Sequence, residues 1–364
     1  MQNQYKRLMR KCITLAKKSY GRVSPNPLVG CVIFDDDFNI VSEGRHEKYG
    51  ENHAERNAIL NAPCDVKGLS LVVNLEPCCH HGKTPPCADL IIEKGIKKVV
   101  IGMVDPNPVV AGKGIEKLKK AGIDVVVGVL EDECRELNKI FIKNQVVKKP
   151  YITIKTATTL DGKIVGRTRK PEKITDEVSR YEVQKLRNQY DAILTSSKTV
   201  INDNPYLTCR MKSGRNPIRV VLDTNLSTLA SSNVYNNDGT KVIIMTSDKI
   251  SNEKVKQYPE NIEVIKCGTK NNHIDLNCAM EILYKKGIKS ILVETGAILN
   301  KSFIEEDLMD ELIQFIAPKV MGDDTAINWV SGFDREYISK CNNLKIMSTK
   351  ILKKDIMIVC KSKN

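Results

Sequence analysis

The sequence lacks any apolar run that approaches the roughly 18 residues needed for a membrane-spanning helix. Its first residues, MQNQYKRLMRKCITLAKK, contain no apolar segment as long as that of a signal peptide. Internal repeats, low-complexity tracts and long linkers rich in Gly, Ser or Pro are also absent. We therefore expect a folded cytoplasmic protein that has no membrane partner.

Aromatic residues are scarce, at 5% of the chain with one Trp, so few side chains can stack on nucleic-acid bases. The net charge of +13 would suit either nucleic acid or a small phosphorylated ligand. Because the basic residues are spread along the chain and form no blocks, we expect a solvated lysine-rich surface and no nucleic-acid partner. The 12 cysteines are too scattered for a secreted disulfide framework, which favours reduced thiols and a metal role only in a local cluster.

The length of 364 residues exceeds the roughly 250 to 300 residues beyond which one hydrophobic core stops growing, which predicts two domains. The boundary is expected at residues 146–150, where a helical pattern ends in Lys-Lys-Pro and an extended segment begins. Proline disfavours helix in the residue before it. The predicted domains are residues 1–146 and 151–364.

Both domains alternate helical and extended patterns, which is typical of α/β folds. In the first domain, helices are predicted near 5–18, 54–61, 88–94, 112–121 and 131–145, and strands at 28–34, 40–44, 69–75, 97–101 and 124–128. The polar turn Asp35-Asp36-Asp37 predicts that the first two strands form a hairpin. In the second domain, strands are predicted at 151–156, 192–195, 219–223, 241–246, 262–266, 290–294 and 310–317, helices near 176–188, 275–285 and 297–305, and late antiparallel strands at 344–348 and 355–360.

The first domain contains metal-binding residue types at an informative spacing. His53-Ala54-Glu55 opens a predicted helix, Pro77-Cys78 follows it, and Pro86-Cys87 comes after a short insertion. One imidazole and two thiolates give zinc three ligands and leave its fourth tetrahedral position open to water, as in catalytic sites. Glu55 would take a proton from that water and pass it to a departing amine. His-x-Glu with two such cysteines is typical of nucleobase deaminases.

The insertion between the two cysteines sets this sequence apart from the usual signature, because residues 79–86 stand where two residues are usual. Its polar and basic side chains would lie near the pocket mouth and would suit a polar substrate that carries an anion. It also leaves alternatives open. Cys79 would compete as a ligand, His80 or His81 would replace His53, or three cysteines and one histidine would form a closed structural clamp.

Four further segments complete this pattern: Ser24-Pro25-Asn26-Pro27-Leu28-Val29-Gly30, Gly44-Arg45-His46, the whole of residues 77–87, and Asp105-Pro106-Asn107-Pro108. With the histidine–glutamate motif they closely resemble the bifunctional riboflavin-biosynthesis deaminase/reductase family, and the similarity covers nearly the whole chain. The resemblance implies a cytidine-deaminase-like α/β/α first domain that binds Zn2+ through His53, Cys78 and Cys87. It also implies that the pyrimidine and ribose phosphate are bound by Asn26, His46, His80 and Lys83.

The second domain shows a weaker signal at Glu294-Thr295-Gly296, which lies between an apolar strand and a helical pattern. Its amides would present a helix N-terminus to a cofactor phosphate. The resemblance implies a dihydrofolate-reductase-like α/β domain that uses NADPH to reduce the C1 carbon of the ribose. It implies catalytic roles for Lys155, Asp203 and Glu294, substrate binding by Arg187, Leu207 and Arg210, and cofactor binding by Ala157, Thr199, Asp203 and Gly296.

Three segments depart from the family pattern. Lys173 stands before Ile174-Thr175 where Trp is frequent, Thr295 replaces a glycine of Glu-Gly-Gly, and Ser196-Ser197-Lys198-Thr199 replaces Gly-x-Gly-Thr. These changes lie among the expected contacts to NADPH. They make the nicotinamide pocket the part of the site that the resemblance specifies least.

We therefore expect a zinc-dependent hydrolytic deaminase joined to an NADPH-dependent reductase. The implied substrate is a phosphoribosylamino-pyrimidine, and the enzyme is expected to form a homo-oligomer. Two other interpretations stay open. A deaminase of adenosine or cytidine in nucleic acid would suit the positive charge but would leave the second domain without a role. A non-enzymatic, zinc-stabilised nucleic-acid-binding module would give Glu55 no task.

Overall fold

The structure, a computed structural model, describes residues 1–79, 85–107 and 110–362. The chain divides into two compact units, Met1–Lys148 and Lys149–Asn364. Among the described residues, no helix has the length and apolar character needed to cross a membrane.

The first unit is built on a five-stranded sheet. Its elements are α1 (Gln2–Lys17), β1 (Gly30–Phe34), β2 (Ile40–Arg45), α2 (Ala54–Leu60), β3 (Ser70–Leu75), α3 (Cys87–Glu93), β4 (Lys98–Met103), α4 (Lys113–Lys120), β5 (Asp124–Val127), α5 (Glu131–Leu137) and α6 (Lys139–Val146). The strand order is β2-β1-β3-β4-β5. Strand β1 is antiparallel to both of its neighbours, whereas β3, β4 and β5 are parallel, so the predicted hairpin is confirmed.

Every residue of β1 and of β3 is buried, which shows that both faces of this sheet are covered at its centre. Helix α1 contributes an apolar stripe that includes Leu8, Met9 and Cys12. Helix α2 approaches β2 very closely at Gly44, where an added Cβ would lie 2.3 Å from both Ala54 O and Ala58 N. The glycine therefore sets the distance between β2 and the helix that carries Glu55.

The single helix predicted at residues 131–145 is wrong, because the structure divides it into α5 and α6 at Asn138. The backbone of Asn138 leaves helical geometry, with φ −104° and ψ 18°. Its buried amide accepts a hydrogen bond from Leu28 N at 2.8 Å and donates one to Leu28 O at 3.1 Å. At the break, the Asn138 side chain thus satisfies the N–H and C=O of Leu28, in the loop that leads into β1. Helical periodicity cannot reveal such a contact.

The second unit contains a nine-stranded sheet. Its elements are β6 (Tyr151–Thr158), β7 (Lys163–Val165), α7 (Glu177–Gln189), β8 (Ala192–Ser196), α8 (Ser197–Asp203), β9 (Ile218–Leu222), β10 (Val242–Ser247), α9 (Asn252–Val255), β11 (Ile262–Cys267), β12 (Thr269–Lys270), β13 (His273–Ile274), α10 (Leu276–Lys285), β14 (Ser290–Val293), α11 (Ala297–Glu305), β15 (Glu311–Ile316), β16 (Ile327–Asn328), β17 (Leu344–Leu352) and β18 (Asp355–Ser362), with short 3-10 helices at Asn233–Tyr235 and Ile338–Lys340. The order of the main sheet is β11-β10-β9-β8-β14-β6-β15-β18-β17.

The first seven strands in that order are parallel, and β18 and β17 continue the sheet in antiparallel fashion, as predicted for the late segments. Val293 at the end of β14 is in register with Ile154 on β6 and with Leu194 on β8. The carboxyl ends of these strands therefore meet at one edge, where open parallel sheets bind ligands.

Candidate active sites

Three side chains of the first unit that could hold a metal ion converge. Nδ1 of His53 lies 3.5 Å from Sγ of Cys78 and 3.4 Å from Sγ of Cys87, and the three ligand atoms lie within 4.8 Å of one another. Zinc bonds of about 2.0 Å to nitrogen and 2.3 Å to sulfur, at a tetrahedral angle, place such N and S atoms about 3.5 Å apart. The donor set and its spacing therefore fit a zinc ion with three protein ligands.

Local structure explains this convergence. His53 is the N-cap residue of α2, Cys78 follows β3, and Cys87 is the first residue of α3. Cys87 N donates to Cys78 Sγ at 3.3 Å, and Ala88 N donates to Cys78 O at 3.1 Å, so the helix start holds the loop that carries Cys78. A hydrogen bond from the Cys87 thiol lowers the pKa of Cys78 to about 4, and the same bond raises the pKa of Cys87, because donation favours the thiolate of the acceptor and the thiol of the donor.

Glu55 lies in the first turn of α2 and is only 3% exposed. Burial, and then the charge of Cys78, raises its pKa to about 7, although the charge of His53 opposes this shift. A carboxyl group with a pKa near the working pH is suited to both accepting and returning a proton.

Asn26 and His46 are hydrogen-bonded to each other beside the three candidate metal ligands. His46 Nδ1 lies 2.9 Å from Asn52 O, and its Nε2 lies 3.0 Å from Asn26 Nδ2. Because a carbonyl only accepts, Nδ1 carries the proton and Nε2 accepts from the amide. Burial lowers the pKa of His46, which agrees with this neutral form. Its ring lies 5.5 Å from that of His53.

The remaining predictions for this site concern the insertion. His80, His81 and Lys83 lie outside the described residues, so their predicted roles stay predictions. Cys79 is half-buried and is not part of the three-ligand cluster found among the described residues. Burial, followed by the charge of Glu76, raises the pKa of Cys79 and so disfavours its thiolate.

In the second unit, Lys155 and Arg187 both contact Glu294. Lys155 Nζ lies 2.8 Å from Oε2 of Glu294, and the arginine donates from Nε and Nη2 at 2.9 Å. Burial opposes ionisation of Glu294, but the two cations and their hydrogen bonds outweigh it and hold its pKa well below the usual range. The arginine also donates from Nη1 to Thr208 O at 2.9 Å. Its predicted contact to a substrate phosphate therefore competes with these partners and stays a prediction.

The two segments expected to contact the cofactor are adjacent. Thr295 Oγ1 donates to Ser196 Oγ at 3.2 Å, and Thr199 lies in α8 with its N–H directed to the same Ser196 hydroxyl. Gly296 is the N-cap of α11, as predicted for a strand–glycine–helix junction. An added Cβ at Gly296 would meet no atom within 4 Å, so a ligand has room to approach its backbone.

The other predicted residues of this unit take separate positions. Ala157 lies on β6, Asp203 ends α8 on the surface, and Leu207 is buried in the left-handed region with φ 53°. Arg210 is exposed, and its backbone N–H donates to Gln184 Oε1 at 2.8 Å. Among the described residues, the hydrogen bonds and ion pairs of the Glu294 side chain go to Lys155 and Arg187, so the roles of these four residues stay predictions.

Fold and sites together define a zinc-dependent deaminase unit joined to a reductase unit. Residues 2–103 match the cytidine and deoxycytidylate deaminase zinc-binding region, and residues 150–358 match the RibD C-terminal domain. The chain is 42% identical to riboflavin biosynthesis protein RibD of Actinobacillus pleuropneumoniae over 96% of this chain and 93% of that protein. It is 39% identical to the Escherichia coli protein of the same name, over 89% of this chain and 90% of its relative.

Solved structures that resemble this chain support the same family. A Thermotoga maritima diaminohydroxyphosphoribosylaminopyrimidine deaminase/5-amino-6-(5-phosphoribosylamino)uracil reductase superposes with a TM-score of 0.89 at 38% identity and covers 99% of both chains. RibD of Acinetobacter baumannii gives a TM-score of 0.88 at 33% identity over 100% of both chains. The chain belongs to the RibD family of riboflavin biosynthesis enzymes. The expected cytidine-deaminase-like and dihydrofolate-reductase-like folds and the expected cofactors, Zn2+ and NADPH, are confirmed.

Proposed function

We propose that the chain catalyses two successive reactions of riboflavin biosynthesis. Residues 1–146 would hydrolyse the amino group of 2,5-diamino-6-(5-phosphoribosylamino)pyrimidin-4-one. Residues 151–364 would then reduce the ribosyl chain to ribityl with NADPH, giving 5-amino-6-(5-phosphoribitylamino)uracil. The observation that carries the proposal is that the ligand atoms of His53, Cys78 and Cys87 lie within 4.8 Å of one another. The buried Glu55 lies in the first turn of α2, the helix that His53 caps.

In the deamination, His53, Cys78 and Cys87 would hold a zinc ion, which would supply the Lewis-acid chemistry that activates water near neutral pH. The Glu55 carboxylate accepts the proton of the attacking water and delivers it to the departing amino group, which leaves as ammonia. Asn26 is oriented by His46, which occupies its amide NH2 and leaves Oδ1 to accept from an N–H of the pyrimidine. These groups bind and orient the ring so that the amino-bearing carbon faces Glu55.

In the reduction, NADPH supplies the hydride that the ribose C1 carbon receives. Glu294 stays ionised, because Arg187 and Lys155 hold it as a carboxylate, and it can accept hydrogen bonds from ribose hydroxyls. The Lys155 ammonium, which is 14% exposed, would donate a proton to the ring oxygen as the sugar opens. Thr199 in the first turn of α8 would bind the cofactor through its hydroxyl, and Gly296 at the N-cap of α11 would bind it through its backbone amide.

The experiment supplies the purified protein with the phosphoribosylamino-pyrimidine, with and without NADPH, and follows ammonia release and NADPH oxidation. Glu55→Gln should stop ammonia release while NADPH oxidation on predeaminated substrate continues. Glu93→Gln makes the same charge change at an exposed position of the first unit and should alter neither rate. Loss of both activities in Glu55→Gln would show that the division of labour between the units is wrong.

The finer features of this function are also proposals: a cytoplasmic location, a phosphorylated small-molecule substrate rather than nucleic acid or membrane, and assembly into a homo-oligomer. The substrate proposal is supported by the wide spread of the basic residues and by the scarcity of aromatic side chains for base stacking. Ammonia release from single-stranded RNA or DNA at a rate equal to that from the pyrimidine would contradict it.

A further inference from the structure

Glu76 is a buried carboxylate that the catalytic scheme does not use. It directly follows β3, lies two residues before Cys78 and is 3% exposed. Its Oε2 accepts from Asp105 N at 3.1 Å and from Gly112 N at 3.0 Å. Its Oε1 accepts from Gly114 N at 2.9 Å and from Ile115 N at 3.2 Å. The carboxylate is therefore bound by four backbone donors.

These four donors come from the connection between β4 and α4 and from the first turn of α4. Asp105 follows β4 and Gly112 precedes α4, so both ends of the connection between β4 and α4 meet at one oxygen. Gly114 and Ile115 belong to the first turn of α4, whose N–H groups have no partner within the helix. A negative charge at this end of a helix is also favoured by the helix dipole. Glu76 thus fastens the strand that leads to Cys78 to the N-terminus of α4.

A second, steric contact fixes the same segment. A Cβ at Gly114 would lie 2.2 Å from the backbone oxygen of Pro77, the residue between Glu76 and Cys78. The backbone N–H of Glu76 in turn donates to Met103 O at 3.0 Å. The two residues before Cys78 are therefore held on two sides. The Glu76 side chain and the Pro77 carbonyl lie against α4, and the Glu76 N–H is bonded to the end of β4. The segment has little freedom to move relative to α4.

We propose that Glu76 is a positioning residue that sets the location of Cys78 relative to His53 and Cys87 and so determines how tightly the first unit holds zinc. Three ligands that come from separate elements bind a metal well only if each is held in place before the metal arrives. Groups that orient ligands from outside typically change metal affinity or activity by about 10- to 100-fold when they are altered. This inference rests on the proposed zinc site.

The test measures zinc retention directly, by competition with a chromogenic chelator under native conditions. Glu76→Gln keeps the size of the side chain but sets an NH2 group against two backbone donors. Its zinc affinity should fall by about tenfold or more. Gly114→Ala, which pushes on Pro77 O, should act in the same direction. Glu116→Gln is the matched control, because it removes an exposed carboxylate from the first turn of the same helix and should change zinc affinity less than twofold.

Two further readouts separate positioning from a general loss of folding. The cobalt-substituted Glu76→Gln protein should show altered d–d absorption, and NADPH oxidation on predeaminated substrate should stay within twofold of wild type. Glu76→Asp should retain part of the zinc affinity that Glu76→Gln loses. If Glu76→Gln lowers the melting temperature but leaves zinc affinity and the cobalt spectrum unchanged, the positioning role is overturned. A wild-type protein that binds zinc tightly but releases no ammonia would instead contradict the proposed function.

Discussion

Arg187 and Glu294, which are 107 residues apart in the chain, form a bidentate ion pair in which Nε and Nη2 each lie 2.9 Å from one carboxylate oxygen. Lys155 completes the group, and the three side chains are between 9% and 14% exposed. Charges this sheltered from water are stable only while each has its partner. The pair therefore links the geometry of the candidate reductase site to the stability of the second unit.

Glu294→Gln should lower the free energy of unfolding of the second unit by about 3 kcal/mol at neutral pH, because it leaves two cations with an uncharged partner. Denaturant unfolding followed by a signal specific to that unit measures this. Glu305→Gln, which removes the exposed carboxylate of an ion pair with Lys301, should cost less than about 0.5 kcal/mol. Equal costs for the two variants would contradict the inferred strength of the buried cluster.

The same carboxylate predicts a pH dependence. The pKa of Glu294 is lower in the folded protein than its ordinary value of 4.5, so the folded state binds the proton less readily than the unfolded state. Its stabilising contribution is complete above that ordinary value and is lost as pH falls from there through the folded pKa. The stability difference between wild type and Glu294→Gln should therefore shrink on acidification below about pH 4.5. A difference that stays constant there would contradict the assignment.

Removal of zinc should separate the two activities. Dialysis against a chelator should abolish ammonia release, because the proposed ligands of zinc lie entirely in the first unit. NADPH oxidation on predeaminated substrate should persist, and added zinc should restore deamination. The proposed assignment of chemistry to the units fails if chelation removes both activities in parallel.

Asn138→Ala should raise the KM of the deamination and destabilise the first unit by about 1 to 3 kcal/mol. The reason is that Leu28 N loses its buried acceptor, while Leu28 O keeps the bond from Asn74 Nδ2 at 2.9 Å. The loosened loop is the one that carries Asn26. Steady-state kinetics and thermal unfolding check this, with the exposed Asn3→Ala as control. Unchanged KM with lowered stability would show that Asn138 has no part in placing the loop.

Gly44→Ala should destabilise the first unit by about 3 kcal/mol and weaken zinc binding, because its Cβ would enter the backbone of α2 next to His53. Gly268→Ala is a suitable control in the second unit, since an added Cβ there meets no atom within 4 Å. Calorimetry and zinc titration measure both effects. Wild-type values in Gly44→Ala would mean that α2 tolerates displacement from β2.

Much of the fold could be predicted because its signals are local. Buried strands appear as short apolar runs. The helix predicted near 176–188 is present as Glu177–Gln189, and the carboxylate of its N-cap residue Asp176 accepts from Val178 N and Ser179 N. The convergence of His53, Cys78 and Cys87 could be predicted because the chemistry of zinc restricts both residue types and spacing. Helix α8 was missed, since Ser196-Ser197-Lys198-Thr199 contains no apolar periodicity, although Ser196 caps the helix.

What the sequence could not reveal depends on contacts between distant segments. Glu76 looks like one more charged residue beside the cysteine motif, and only the structure shows that it binds the turn of a helix some 38 residues later. The break at Asn138 likewise depends on a loop 110 residues earlier. The pairing of Arg187 on α7 with Glu294, which follows β14, joins segments that are 107 residues apart in the chain. Polar residues in such roles carry no periodic signal.

X-ray absorption at the zinc edge of the purified protein tests the three-ligand zinc site of His53, Cys78 and Cys87 most directly. We expect one zinc per chain with two sulfur atoms at about 2.3 Å, one imidazole nitrogen at about 2.0 Å and one further light atom that is not a protein ligand. Substitution of Cys78 or Cys87 by Ser should remove one sulfur from that shell. A shell of three sulfur atoms, or a second imidazole that completes four protein ligands, would contradict a catalytic zinc site beside Glu55.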